Sequence, residues 1–126
     1  MIVKVAVVFA AFSGALAVTL GAFGAHGLRG KIEPRLMETF QTAVEYQMIH
    51  SVALLMVALM ISHFGRTLAL DISIYAFIGG IILFSGSLYG LALTELRWLG
   101  PVTPLGGLFF IAGWLALAVG GLQQID

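Results

Sequence analysis

The chain has no cysteine, three prolines and, across 126 residues, only six basic and six acidic side chains. Each shortage excludes something. Without cysteine there can be no disulfide framework, iron–sulfur cluster or thiolate zinc site. Charged residues make up 10% of the chain, against about 25% in a typical soluble domain. A soluble fold of this size keeps much of its surface in water, and so few charges cannot cover it. The balanced charge leaves no basic excess for a phosphate backbone, so nucleic acid is not an expected partner.

What the chain has instead is apolar length. Hydrophobic residues reach 60% and the mean hydropathy is +1.07. A helix needs about 20 apolar residues to cross roughly 30 Å of hydrocarbon, and four stretches qualify, at 5–26, 38–61, 72–94 and 105–122. They predict an all-α, integral membrane four-helix transmembrane bundle, a single membrane domain over 1–126. A membrane barrel would need short alternating strands, and these runs do not alternate. Lys4 and Ala22-Phe23-Gly24 also fit a signal peptide, but the run between them is long for a signal core, so an uncleaved span is expected. Glu33-Pro34 reads as a cap followed by proline at the first helical position. The second helix then outruns the hydrocarbon, and Arg35, Glu38, Gln41 and Thr42 fall in the interface.

Four spans put both termini and Arg66 on one side, and the 29–35 link with Arg97 on the other. Lys4 and Arg66 stand against Arg29, Lys31, Arg35 and Arg97. The positive-inside rule then predicts a cytoplasmic 29–35 link and both termini outside. Within the bilayer, helices associate through close approach at small residues. Ser13, Ala17, Gly21 and Ala25 form one such stripe, Gly86 and Gly90 a second, and Ala112, Ala116 and Gly120 a third. Each serves either packing within the bundle or contact between subunits, so a homo-oligomer or a membrane-protein partner is possible alongside the lipid bilayer.

Polar residues concentrate toward the 29–35 side. His26 falls at the mouth, Glu45 one to two turns inside and His50 deeper; Ser85, Ser87, Tyr89 and Thr103 share that half. On the second helix Glu38, Gln41, Thr42 and Glu45 fall in one angular wedge, with Tyr46 and His50 stacked beside it. A carboxylate facing lipid costs a few kcal/mol, so Glu45 is expected to turn inward. Together with Gln47, these residues predict a polar pocket in one leaflet: His26, Glu45, Tyr46, Gln47, His50, Ser85, Ser87, Tyr89 and Thr103. Plainer roles stand beside that pocket. Glu45 could anchor the helix at the interface, His50 could be a neutral hydrogen-bonded ring, and His26 could cap a helix end.

Four segments carry a resemblance. They are Gly21-Ala22-Phe23-Gly24-Ala25-His26-Gly27-Leu28; Tyr46-Gln47-Met48-Ile49-His50-Ser51-Val52-Ala53-Leu54; Phe84-Ser85-Gly86-Ser87-Leu88-Tyr89; and Thr103-Pro104-Leu105-Gly106-Gly107 with Gly113-Trp114. In this order they resemble the YgdD/YwdK-like small membrane protein family, a domain-of-unknown-function family. The resemblance covers essentially the whole chain. It implies a four-span protein of the bacterial cytoplasmic membrane, with mitochondrial relatives in eukaryotes, and no established activity, substrate or cofactor.

The functional expectation is a non-catalytic membrane component, either an accessory or assembly partner or a binder of lipid or a small ligand. The alternative is a proton-linked or small-solute transporter or channel built on Glu45, His26 and His50, in which an oligomer would supply the missing half of the path. Haem ligation by His26 and His50 is disfavoured because the two differ in depth, so no cofactor or metal is expected. An enzyme with Glu45 as base and His50 as acid lacks any geometry in the sequence to support it.

Overall fold

The computed structural model describes residues 1–125. Four helices long and apolar enough to cross a membrane run up and down: α1 (Ile2–Leu28), α2 (Pro34–Phe64), α3 (Leu68–Thr94) and α4 (Val102–Gln124). A 3₁₀ turn, Arg97–Leu99, precedes α4. Each helix begins earlier than its apolar run alone predicts. Pro34 occupies the first turn of α2 behind Glu33. The Thr67 hydroxyl accepts from the Leu70 amide at 3.1 Å and starts α3 four residues before Ile72. Gly65 makes the tight α2–α3 turn possible: its φ of 103° is one an L side chain rarely adopts. Arg66 then pairs with Asp71 at 2.8 Å, and Asp71 lies in the first turn of α3, where a carboxylate is favoured.

The helices form an open row. α1 packs on α2, α2 on α3, and α3 on α4, while α1 barely touches α3 and does not reach α4. α2 and α3 are accordingly the most buried, and α1 and α4 flank them.

Two seams use different chemistry. On the α1–α2 seam Ala6, Ala10, Ser13 and Ala17 are buried, and Gly24 lies under the Phe40 ring. Ser13 and Ala17 of the first small-residue stripe therefore serve packing inside the bundle. On the α3–α4 seam large residues of one helix enter gaps in the other at seven-residue intervals. Leu70 and Phe77 of α3 meet Gly120 and Gly113 of α4, and the Phe84 backbone meets Gly106, in antiparallel order. Gly79 and Gly80 in turn receive Phe109 and Phe110. A seven-residue step keeps one contact line along two slightly crossed helices. It also corrects the expected stripes. Gly120 belongs to the seam, but Ala112 is exposed, and a Cβ on Gly86 would meet nothing within 4 Å.

Two helical segments widen into π turns, Gly24–Leu28 at the end of α1 and Ile81–Ser85 within α3. Such turns insert a residue into the ladder, bend the helix locally and recur at functional sites.

The seam makes a direct prediction. A Cβ on Gly106 would sit 2.7 Å from Phe84 Cα, a backbone atom that cannot swing aside. Gly106→Ala is expected to lower stability by about 1–3 kcal/mol, read as a lower melting temperature in detergent. Gly107→Ala, whose nearest new neighbour lies at 3.9 Å, should melt like the parent; equal melting of the two variants would refute the seam.

Candidate functional site

The buried face of α2 is defined by Leu36, Phe40, Ala43, Gln47, His50, Ser51, Leu54, Val57, Ala58 and Ile61. At 100° per residue this arc lies roughly opposite the wedge of Glu38, Gln41, Thr42 and Glu45. The wedge is real but faces out. Glu45 is exposed on the outer surface of α2, between exposed Gln41 on one side and exposed Ile49 and Val52 on the other. His26 is likewise exposed, in the π turn ending α1. The expected nest of Glu45, His26 and His50 therefore does not form. The physical reason is angular: Glu45 stands two residues from both Ala43 and Gln47, about 200° round the helix from each.

His50 does face inward, with 4% of its surface exposed. Its Nδ1 lies 2.7 Å from the Tyr46 carbonyl oxygen, which can only accept, so Nδ1 carries the hydrogen. Nε2 then accepts from Trp114 Nε1 at 3.0 Å. The ring stacks on Phe110 with centroids 3.6 Å apart, and Tyr46 lies beside both rings, 5.9 Å from His50 and 6.3 Å from Phe110. Both nitrogens are engaged and Phe110 covers one face, so His50 fixes α2 to α4.

The polar centre is Gln47, 3% exposed and near the middle of α2. Its Nε2 lies 2.9 Å from the Ser13 carbonyl oxygen and 3.2 Å from the Ser13 hydroxyl on α1. The carbonyl can only accept, so the amide NH₂ faces α1 and Oε1 faces α3. Oε1 accepts from the Tyr89 hydroxyl at 2.6 Å. Ser51 Oγ lies 2.7 Å from both Ser13 Oγ and the Gln47 carbonyl oxygen. Both protons are used when Ser13 donates to Ser51 and Ser51 donates to that carbonyl. One residue thus joins three helices.

Ser85, 1% exposed, donates across to the Ala43 carbonyl at 2.8 Å. Ser87 and Thr103 bond to each other where α3 meets the start of α4. Of the sequence-predicted pocket residues, Gln47, Tyr89 and Ser85 come together. Ser87 and Thr103 form a separate pair, Tyr46 and His50 belong to the aromatic stack, and Glu45 and His26 stand outside. Polar contacts also occur away from the expected half, where Ser73 donates to the Gly113 carbonyl at 2.9 Å. Ser13, Ser51 and Trp114 escaped the sequence reading. Ser13 looked like one small residue in a stripe. The spacing of Gln47 and Ser51, one turn apart on the buried face, was the available signal for Ser51.

Where α1 and α3 diverge, a groove of about 530 Å³ opens over this network. Phe9, Phe12 and Leu16 of α1 and Ile81 and Ile82 of α3 form its walls; Ser13, Gln47, Ser85 and Tyr89 supply its polar floor. Phe12, Leu16 and Ile82 are exposed, so the groove opens sideways, on the flank a membrane helix turns to lipid. The π turn Ile81–Ser85 forms part of the α3 wall. No charged residue lines the groove, and no cluster of three or more His, Asp or Glu suited to a metal occurs among the described residues.

Residues 20–107 match the family described as "Protein of unknown function (DUF423)". The chain is 39% identical to the UPF0382 membrane protein YwdK of Bacillus subtilis over 97% of this chain and 99% of that protein. It is 42% identical to the UPF0382 inner membrane protein YgdD of Escherichia coli over 92% and 88%. A UPF0382 membrane protein of Haemophilus influenzae is 41% identical over 90% of each chain. No solved structure matches the chain.

The network separates two carboxyl-related side chains by their surroundings. Gln47→Leu should leave the Tyr89 hydroxyl without its acceptor and cost about 1–3 kcal/mol. Glu45→Gln should stay within about 0.5 kcal/mol of the parent. Thermal unfolding in one detergent compares them, and a larger loss for Glu45→Gln would restore the inward nest.

Proposed function

The chain belongs to this family of bacterial membrane proteins of unknown function, and we propose that it is a non-catalytic membrane component that binds one amphiphilic molecule from the bilayer. The groove between α1 and α3 carries this reading. Its volume of about 530 Å³ lies within the roughly 300–1,000 Å³ of small-molecule sites. Its walls are apolar, its floor is polar, and it opens toward lipid, which is the shape an amphiphile arriving sideways requires. Nothing in its lining resembles a nucleophile with an adjacent base. The transport alternative draws no comparable support, since a proton path needs titratable groups in series. Here Glu45 faces out and His50 has both nitrogens engaged.

It is a multi-pass protein of the bacterial cytoplasmic membrane. We place the 29–33 turn in the cytoplasm and both termini outside. Arg29, Lys31, Arg35 and Arg97 gather at the first end, and Lys4 and Arg66 at the second.

Two experiments test these proposals. Gly86 lines the groove, and a Cβ there would meet nothing within 4 Å, so Gly86→Leu should fill the groove without disturbing the bundle. Native mass spectrometry from a mild detergent should show an amphiphile retained by the parent and absent from Gly86→Leu. Equal retention by both, or none by either, would defeat the binding proposal. For orientation, the absence of native cysteine makes single-cysteine variants unambiguous. In intact cells an impermeant maleimide should label Gln123→Cys and spare Glu33→Cys. The reverse pattern would invert the topology.

A further inference from the structure

The floor of the groove discriminates among ligands by how its hydrogens are already used. A hydroxyl has one proton and two lone pairs, and a primary amide has two protons. Tyr89 donates its proton to Gln47 Oε1, because the NH₂ end of that amide is held by the Ser13 carbonyl. Ser85 donates its proton to the Ala43 carbonyl, an acceptor only. The Gln47 amide hydrogens go to the carbonyl and hydroxyl oxygens of Ser13, and the Ser13 proton goes to Ser51. The floor therefore offers no free donor. What it presents is lone pairs, on the half-buried Tyr89 hydroxyl oxygen above all, since Ser85 is 1% exposed.

Charge narrows the choice further. An ammonium also donates, but none of the groove's lining residues is acidic, and an unpaired cation at this depth is costly. A carboxylate, phosphate ester or ketone would bring acceptors to acceptors. In hydrocarbon a polar group that finds no partner costs several kcal/mol, so the match between donor and acceptor decides which amphiphile enters.

We infer that the groove between α1 and α3 selects an uncharged membrane-dissolved alcohol, whose one hydroxyl proton goes to the Tyr89 oxygen while its hydrocarbon lies against Phe9, Phe12 and Ile82. This inference rests on the proposed binding role and adds the ligand's chemical class to it.

A pair of probes that differ in one hydrogen tests it. A long-chain primary alcohol carrying a mid-chain diazirine, and its methyl ether, are each incorporated into phosphatidylcholine vesicles with the protein. They are then photolysed, and adducts are mapped by peptide mass spectrometry. The alcohol should label residues of the groove on α1 and α3 about 10-fold more than the ether, as loss of one buried hydrogen bond implies. In the variant Tyr89→Phe the two probes should label within about twofold of each other. Equal groove labelling by alcohol and ether in the parent would overturn the donor inference and leave the binding site standing. Adducts scattered over the lipid-facing surface, with neither probe enriched in the groove, would overturn the binding proposal itself. If Tyr89→Phe fails to fold, the comparison of probes on the parent decides alone.

Discussion

A bilayer interior offers no water, so each polar side chain placed there must find its partner within the protein. That constraint organises the structure around Gln47. One amide reaches α1 through its nitrogen and α3 through its oxygen, and neither end can be exchanged, because the Ser13 carbonyl fixes which way the amide points. Interhelical hydrogen bonds in membranes average only about 0.6 kcal/mol each. Their larger effect here is on register. A slip of one residue along α2 would rotate Gln47 by about 100° and strand all of its partners together.

The opposite half of the bundle is held differently. Along the α3–α4 seam, Leu70 and Phe77 of α3 fill gaps opened by Gly120 and Gly113, the α3 backbone at Phe84 lies directly on Gly106, and two phenylalanines of α4 fill gaps over Gly79 and Gly80. Hydrophobic burial does not drive such contacts in lipid, where tails are as apolar as side chains; close packing does. A glycine facing a ring lets the backbones approach while the ring keeps many van der Waals contacts. The π turn at Ile81–Ser85 lies between these two regimes. On one side Phe84 is committed to Gly106, and on the other Ser85 is committed to Ala43.

Much of this was legible in the sequence. The number of helices and their alternation follow from hydropathy and bilayer thickness alone. The wedge of Glu38, Gln41, Thr42 and Glu45 was also legible as a wedge, yet its direction was not. Angular clustering says which residues share a face. It does not say which face is inside when lipid and core are equally apolar. The charge on Glu45 suggested an inward turn, but the buried arc had been set by Phe40, Ala43, Gln47 and Leu54. His50 shows the converse. Its inward position was anticipated, while its role depended on Trp114, 64 residues away in sequence, and no spacing rule connects the two. The glycine seam was hidden for a further reason. Four-residue steps were the obvious small-residue pattern, whereas Gly106, Gly113 and Gly120 repeat at seven.

The two modes of packing bear on the groove itself. The α3 wall of the groove is backed from one side by the glycine seam. α1 touches little besides α2, and it is held there by alanine contacts and by the bonds from Gln47 and Ser51 to Ser13. The other wall therefore stands on the same hydrogen bonds that consume the Gln47 amide donors. Loosening those bonds would widen the groove and free an amide donor in one step, changing both the size and the polarity of what it accepts. A groove floored by independent side chains could vary these properties separately. With Gln47 in the middle, the width of the opening and its preference for a donor are set by the same contact.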